Sequence, residues 1–249
     1  VRNIKLVLEY DGTDFVGWQR QPNGRSIQGE VEKVLLQLMQ EKVNVNGAGR
    51  TDSGVHARGQ VANFRCNSEM SIKQITRGLT ALLPKDVSLE SVEETSIDFH
   101  ARYSAKWRTY SYTITTVPSA LIRKYSWFVK YNLDVHLLEQ CAERLIGVHD
   151  FEIFCKDDTN VKNYLCNVSQ SLWTVNQNLF RYKIQANRFL HTMVRLLVGT
   201  MVDVGRGYIS LDDVGAALSK EKNTESGNVT TRIGQAAPAH GLVLESIQY

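Results

Sequence analysis

Apolar and polar positions alternate over residues 4–9, in a run rich in β-branched side chains, which predicts a first strand. From Ile27 the interval changes. Val31, Val34, Leu35, Leu38 and Met39 recur at helical spacing behind Ser26, a residue type suited to an N-cap, so a helix is expected to about Gln40. Between them, residues 11–25 form a long polar loop with three glycines and with Trp18, Arg20 and Arg25. Residues 43–48 lead into a glycine-rich stretch, and 60–66 read as another strand. Ser71 caps a second helix that Pro84 stops, and 87–92 is a strand. The order β-α-β-β-α-β is the ferredoxin-like arrangement.

The second half restarts with Tyr110, Tyr112 and Ile114 alternating over residues 109–116, then a short strand at 127–129. Asp134 caps a helix to about Ile146 that carries Leu137, Leu138, Cys141 and Leu145 on one side. A loop over 147–167, strands over 168–175 and 180–186, a helix over 189–203, a short helix over 211–218 and a closing strand over 242–247 follow. The expected fold class is α+β: two ferredoxin-like α/β units with mostly antiparallel sheets flanking a central cleft, helices packed on the sheets. Residues 1–104 form the first unit and 105–249 the second.

Composition narrows the setting. With 249 residues, 43% hydrophobic and 22% charged, the chain suits a globular protein with a well-buried core. No apolar run is long enough for a membrane span and the first residues carry no signal-peptide pattern, so a cytoplasmic location is expected, with no membrane partner. The four cysteines form no Cys-x-x-Cys pair and the six histidines are scattered, so neither disulfides nor a metal site is expected.

A net charge of +3 says little about partners, but its distribution says more. Residues 99–133 contain no acid, while Arg102, Lys106, Arg108, Arg123, Lys124 and Lys130 alternate with Tyr103, Trp107, Tyr110, Tyr112, Tyr125, Trp127 and Tyr131. Cations attract phosphates and aromatic faces stack on unpaired bases. Two core strands with wetted outer faces would give the same composition.

The chemistry concentrates in residues 46–60. Four glycines and two arginines surround Asp52, the single acid between Lys42 and Ser68. Gly47-Ala48-Gly49 begins like a dinucleotide fingerprint, but the third glycine would fall on Asp52, which would repel a pyrophosphate. No P-loop run exists. Asp52-Ser53-Gly54 matches an aspartic-protease signature, yet no second copy is present to share a proton. Ser53 and His56 lack a nucleophile elbow, and no second carboxylate suggests a glycosidase. What is left is an ionised carboxylate near arginine, which suits a nucleophile; an arginine-bridged turn aspartate is the plainer alternative. Arg195, alone among apolar residues of its helix, needs an anionic partner if buried, or else lies on the wet face.

The chain resembles the tRNA pseudouridine synthase A family along nearly its whole length. The matching runs are Glu9-Tyr10-Asp11-Gly12-Thr13 with Gly17-Trp18-Gln19-Arg20-Gln21, then Ala48-Gly49-Arg50-Thr51-Asp52-Ser53-Gly54-Val55-His56. Further on come Phe99-His100-Ala101-Arg102, Arg108-Thr109-Tyr110-Ser111-Tyr112, Met193-Val194-Arg195 with Val198-Gly199, and Pro238-Ala239-His240-Gly241-Leu242. The resemblance implies isomerisation of uridine to pseudouridine at positions 38–40 of the tRNA anticodon stem-loop, without cofactor or metal, by a homodimer. It implies that Asp52 is the nucleophile, that Tyr110 stacks on the substrate, and that Arg195 binds there and pairs with Asp52. Arg50 matches the arginine that displaces the base, and Phe99, His100, Ala101, Arg102 and Tyr103 match a segment touching RNA. Flipping is required because neither C6 nor C1′ is open to attack inside a stacked helix. Residues 11–25 are expected to act as a mobile clamp. Residues 155–167, with Asp157, Asp158 and Cys166 where more arginine is usual, depart from the pattern, and the resemblance assigns them no RNA contact either way. A non-catalytic RNA-binding protein is the alternative.

Overall fold

Ile4, Leu6 and Leu8, the apolar half of the first alternation, are fully buried on β1 (Arg2–Tyr10). The computed structural model describes residues 1–156, 162–219 and 233–249. They form two compact units: Val1–Arg108 with Val243–Tyr249, and Thr109–Leu242.

In the first unit β1 is followed by α1 (Ile27–Met39), β2 (Asn46–Gly47), β3 (His56–Cys66), α2 (Ile72–Leu82) and β4 (Val87–Thr95). β1 pairs antiparallel with β3 and with β4, and β2 pairs antiparallel with β3, so the strands run 4-1-3-2 as the ferredoxin-like order requires. Both helices begin where expected. The Ser26 side chain accepts from the Gly29 amide, and Ser71 forms a reciprocal capping box with Gln74. Glu32 is a buried carboxylate on α1 with its partners in place: it accepts from the Val45 amide at 3.1 Å and pairs with Arg20 at 2.9 Å. That ties the helix to the segment entering the Asp52 loop. A further strand, β10 (Leu242–Gln248), returns to this unit and lies parallel to β3, with Val243 opposite His56 and Leu244 opposite Ala57.

The second unit contains β5 (Trp107–Thr115), β6 (Trp127–Phe128), α3 (Val135–Glu143), β7 (Gly147–Asp150), β8 (Leu165–Asn176), β9 (Leu179–Ala186), α4 (Met193–Gly205) and α5 (Leu211–Ser219). Its strands run β5-β9-β8-β7, an order of its own, with β6 parallel to β5. Met193, Val194, Leu197, Val198 and Met201 bury one side of α4. The α+β class with mostly antiparallel pairing is as expected.

Two local expectations are corrected. Residues 147–150 are not loop but an edge strand paired with β8; Val148, its one large aliphatic side chain, is exposed, so no alternation announces it. The helix expected over 189–203 begins instead at Met193. Thr192 sits in the left-handed region at φ 62, and the Met193 amide closes a turn onto Leu190, so the chain bends before the helix starts. Asp157 and Asp158 lie outside the described residues. Among the described residues no helix is long and apolar enough to cross a membrane.

Candidate active site

Asp52 is half-buried at the head of a turn in which the Val55 amide donates to its carbonyl oxygen at 3.2 Å. Residues 11–25 brace that turn from behind. The Trp18 amide donates to the Thr51 carbonyl at 3.1 Å, the Gly54 amide to the Phe15 carbonyl at 3.3 Å, and the Ser53 hydroxyl to the same Phe15 oxygen at 3.1 Å. Close approach dictates the glycines: a Cβ on Gly12 would stand 2.0 Å from the Val55 carbonyl oxygen. The loop expected as a clamp is packed along most of its length. Arg25 grips Asp86 and Glu30 and stacks 4.2 Å from the Phe15 ring centre, and Trp18 is buried, which leaves residues 20–24 as the exposed tip.

Polar groups under the loop hold it from below. The Tyr10 hydroxyl lies 2.8 Å from the Thr51 hydroxyl. The Gln60 amide nitrogen donates to Tyr10 at 3.3 Å and to the Gly49 carbonyl at 2.8 Å. Burial pushes the Tyr10 phenol up to about 12, so it stays a neutral hydrogen-bonding group at physiological pH. His56, buried at the start of β3, has Nδ1 3.0 Å from the Gly12 amide and 3.1 Å from an Asp11 carboxylate oxygen, in keeping with a loop hydrogen-bonder. Tyr10 and Gln60 were not singled out as site residues in the sequence. Tyr10 lies within the run over 9–13 and Gln60 closes the 46–60 stretch, but neither position carried a role on its own.

The arginines near Asp52 in sequence do not all serve it. Arg58 faces Glu245 at 3.3 Å and Arg65 donates to the Ile97 carbonyl at 2.7 Å. Arg50, next to Thr51, is exposed. The segment from Phe99 to Tyr103 is held by its backbone: Asn63 accepts from the Ala101 amide at 2.9 Å, Asn3 donates to the Phe99 carbonyl at 2.9 Å, and the Tyr249 hydroxyl donates to the Ala101 carbonyl at 2.9 Å. Ala101 is therefore buried as an anchor, while Arg102 and Tyr103 project into solvent with the guanidinium 5.7 Å from the ring centre, and the His100 ring centre lies 4.4 Å from that of Tyr103. Arg108 donates to the Arg102 carbonyl at 2.8 Å and to the Ala48 carbonyl at 3.3 Å, linking this segment to the entrance of the Asp52 loop.

Tyr110 and Arg195 belong to the second unit. Tyr110 is buried on β5 and meets the Phe189 ring edge-on at 5.1 Å. Two residues along, the Tyr112 hydroxyl donates to the Pro238 carbonyl at 2.7 Å; burial raises this phenol and the Arg195 charge opposes the rise. Arg195, half-buried in the first turn of α4, donates through Nε to the Ala237 carbonyl at 2.8 Å, while its own carbonyl accepts from the Ala237 amide at 2.9 Å. The chain around Gln235 can cross α4 this closely because position 199 is glycine: a Cβ there would stand 1.7 Å from the Gln235 oxygen. Asp52, Arg50 and the 99–103 segment are thus brought together in one unit, and Tyr110 and Arg195 in the other. No group of three or more His, Cys, Asp or Glu residues among the described residues could hold a metal ion.

A family model described as tRNA pseudouridine synthase matches residues 6–104 and 141–249. The chain is 40% identical over 250 residues to a tRNA pseudouridine synthase A of Chlorobium limicola, covering 100% of both chains. It is 38% identical over 251 residues to the protein of the same name from Caldicellulosiruptor bescii, again covering 100% of both. Among solved structures it is similar to a chain of a Cbf5-Nop10-Gar1 complex at 12% identity and a TM-score of 0.34, covering 80% of this chain and 45% of that one, a likeness too slight to bear on this site. Matched end to end by relatives at this identity, and along most of its length by the family model, the chain belongs to the tRNA pseudouridine synthases, enzymes of the isomerase class that act on uridine in tRNA.

Proposed function

We propose that this chain converts uridine to pseudouridine at positions 38–40 of the tRNA anticodon stem-loop, with Asp52 as the nucleophile. The observation that supports the reading best is the mounting of Asp52: a half-buried carboxylate on a turn held by backbone and side-chain hydrogen bonds from two directions. A group fixed in this way attacks with little reorganisation. Asp52 adds to C6 of the uracil or C1′ of the ribose and the glycosidic bond breaks. The base turns, C5 bonds to C1′, the bond to Asp52 breaks, and the proton on C5 leaves while N1 takes one up. Uridine and pseudouridine are isomers, so the reaction needs no redox cofactor, and we propose none and no metal.

Arg50 helps to displace the target base from its stack, and Tyr110 and Arg195 bind the substrate. Phe99, His100, Ala101, Arg102 and Tyr103 form an RNA contact segment, with Arg102 and Tyr103 as its exposed charge and stacking face. The protein works as a homodimer in the cytoplasm.

Loss of the C5 proton supplies the test. With tRNA transcript tritiated at uracil C5, the protein releases tritium to water, and Asp52→Asn binds the transcript without releasing it. Tritium release by that variant would take the nucleophile's role away from Asp52. A transcript bound but chemically unchanged by the unaltered protein would favour a non-catalytic RNA-binding protein.

A further inference from the structure

The Asp52 loop rests on a buried polar chain. Tyr10 is 3% exposed, Thr51 6% and Gln60 0%. The Gln60 amide donates into the Tyr10 oxygen, and the Tyr10 and Thr51 hydroxyls share a hydrogen bond at 2.8 Å. The same amide nitrogen donates to the Gly49 carbonyl at 2.8 Å. Gly49 and Thr51 flank Arg50, and Thr51 is the residue before Asp52. One buried phenol–amide pair therefore ties both sides of the base-displacing arginine and the residue that carries the proposed nucleophile.

Thr51 is held twice. Its side chain meets Tyr10 and its carbonyl accepts from the Trp18 amide at 3.1 Å. With both of its ends fastened, the direction in which the backbone delivers Asp52 is set from underneath. Gln60 adds an independent sign. Its Oε1 is buried with no hydrogen-bond partner. Burying an unmatched acceptor destabilises a fold, and an apolar side chain of similar size would avoid it. Its two donated bonds end on Gly49 of this loop and on Tyr10, which in turn meets Thr51.

We infer that Tyr10, acting through Thr51 and steadied by Gln60, is a positioning residue for the isomerisation, holding Asp52 at its angle of attack. The inference rests on the reading of Asp52 as nucleophile.

The test uses full-length protein and single-turnover tritium release at saturating tRNA. Tyr10→Phe keeps the ring and removes the hydroxyl. It should slow the step at saturation roughly 10- to 100-fold, as small misplacements of reacting groups do, and leave the tRNA concentration for half-maximal rate within about 2-fold of the original. Thr51→Val should match Tyr10→Phe, the double variant should be no slower than either single one, and Thr51→Ser should restore the rate. If Tyr10→Phe does not fold, the Thr51→Val and Thr51→Ser pair decides the matter alone. A Tyr10→Phe protein with an unchanged rate and only a lowered unfolding midpoint would overturn the inference, as would losses that multiply in the double variant. Asp52→Asn run alongside separates the two levels. Turnover by that variant removes the reading of Asp52 and this inference with it, whereas an inactive Asp52→Asn beside a fully active Tyr10→Phe removes the positioning role alone.

Discussion

Gly17 approaches Thr51 so closely that a Cβ built on it would stand 2.5 Å from the Thr51 carbonyl oxygen, and its φ of +108 lies where L-residues are strained. The loop of residues 11–25 can seat against the Asp52 loop because this position has no side chain. Gly17→Ala should therefore cost about 2–4 kcal/mol, combining backbone strain with a forced shift of the contact. Gly207 is the comparison: its φ is +73 but nothing lies within 4 Å of a built Cβ, so Gly207→Ala should cost only about 1 kcal/mol. Urea unfolding of the two variants checks the ranking, and equal losses would show that the contact yields freely.

Arg195→Met should leave the second unit folded. The burial of α4 is carried by Met193, Val194, Leu197 and Val198, and Met matches the arginine stem in length. The change removes the Nε bond to the Ala237 carbonyl, a loss of about 1–3 kcal/mol. Turnover should fall at least 100-fold if the charge serves the substrate. A lowered unfolding midpoint together with an unchanged rate would make Arg195 a strut for the Ala237 segment and nothing more.

Alkaline pH should weaken the fold. Burial moves the Cys141 thiol from 9.0 up to about 12, and the Tyr10 phenol from 10.0 up to about 12. The folded state holds these protons more tightly than the unfolded one, so their contribution is complete below about pH 9 and is lost as pH rises toward 12. Unfolding midpoints measured between pH 8 and 11 should fall through that window. Thiol labelling at pH 8 gives a second readout. Cys155, partly exposed, should react in the native protein, while buried Cys66, Cys141 and Cys166 should react only on unfolding.

RNA affinity should depend on Arg102 and Tyr103 in different ways. Arg102→Ala should lower the salt slope of tRNA binding by about 1, the signature of one lost phosphate contact. Tyr103→Ala, at a side chain 77% exposed, should weaken binding by about 1–3 kcal/mol if a base stacks there, with the slope unchanged. Filter binding over a range of salt concentrations separates charge from stacking.

Elements that announce themselves locally were legible in the chain. Ser26 and Ser71 cap the helices expected of them, and the 4-1-3-2 order follows from the alternation of strands and helices in the first unit. Features set by distant partners were not. β3 begins at His56 rather than Gln60 because its first residues lie beside β10, and nothing in His56-Ala57-Arg58-Gly59 itself alternates. The Asp52 loop stood out through its glycines and lone acid. Its support did not, since a Tyr on one strand and a Gln on another become partners only once β1 and β3 lie side by side. The arginines misled in part: proximity in sequence suggested a cage around Asp52, whereas Arg58 and Arg65 turn to Glu245 and Ile97.

The return of β10 to the first unit has a consequence for biosynthesis. Arg58 and Glu245, 187 positions apart, meet in a unit that is encoded in two separate pieces. A ribosome adding about 5–20 residues per second makes the whole second unit, on the order of ten seconds of synthesis, before β10 exists. Until then β3 lacks its parallel neighbour, and the Ala101 carbonyl lacks the Tyr249 hydroxyl that pins it. The nascent first unit thus emerges with an open strand edge next to the Asp52 loop and with the 99–103 segment short of one of its anchors, and both are completed together by the same short stretch of chain.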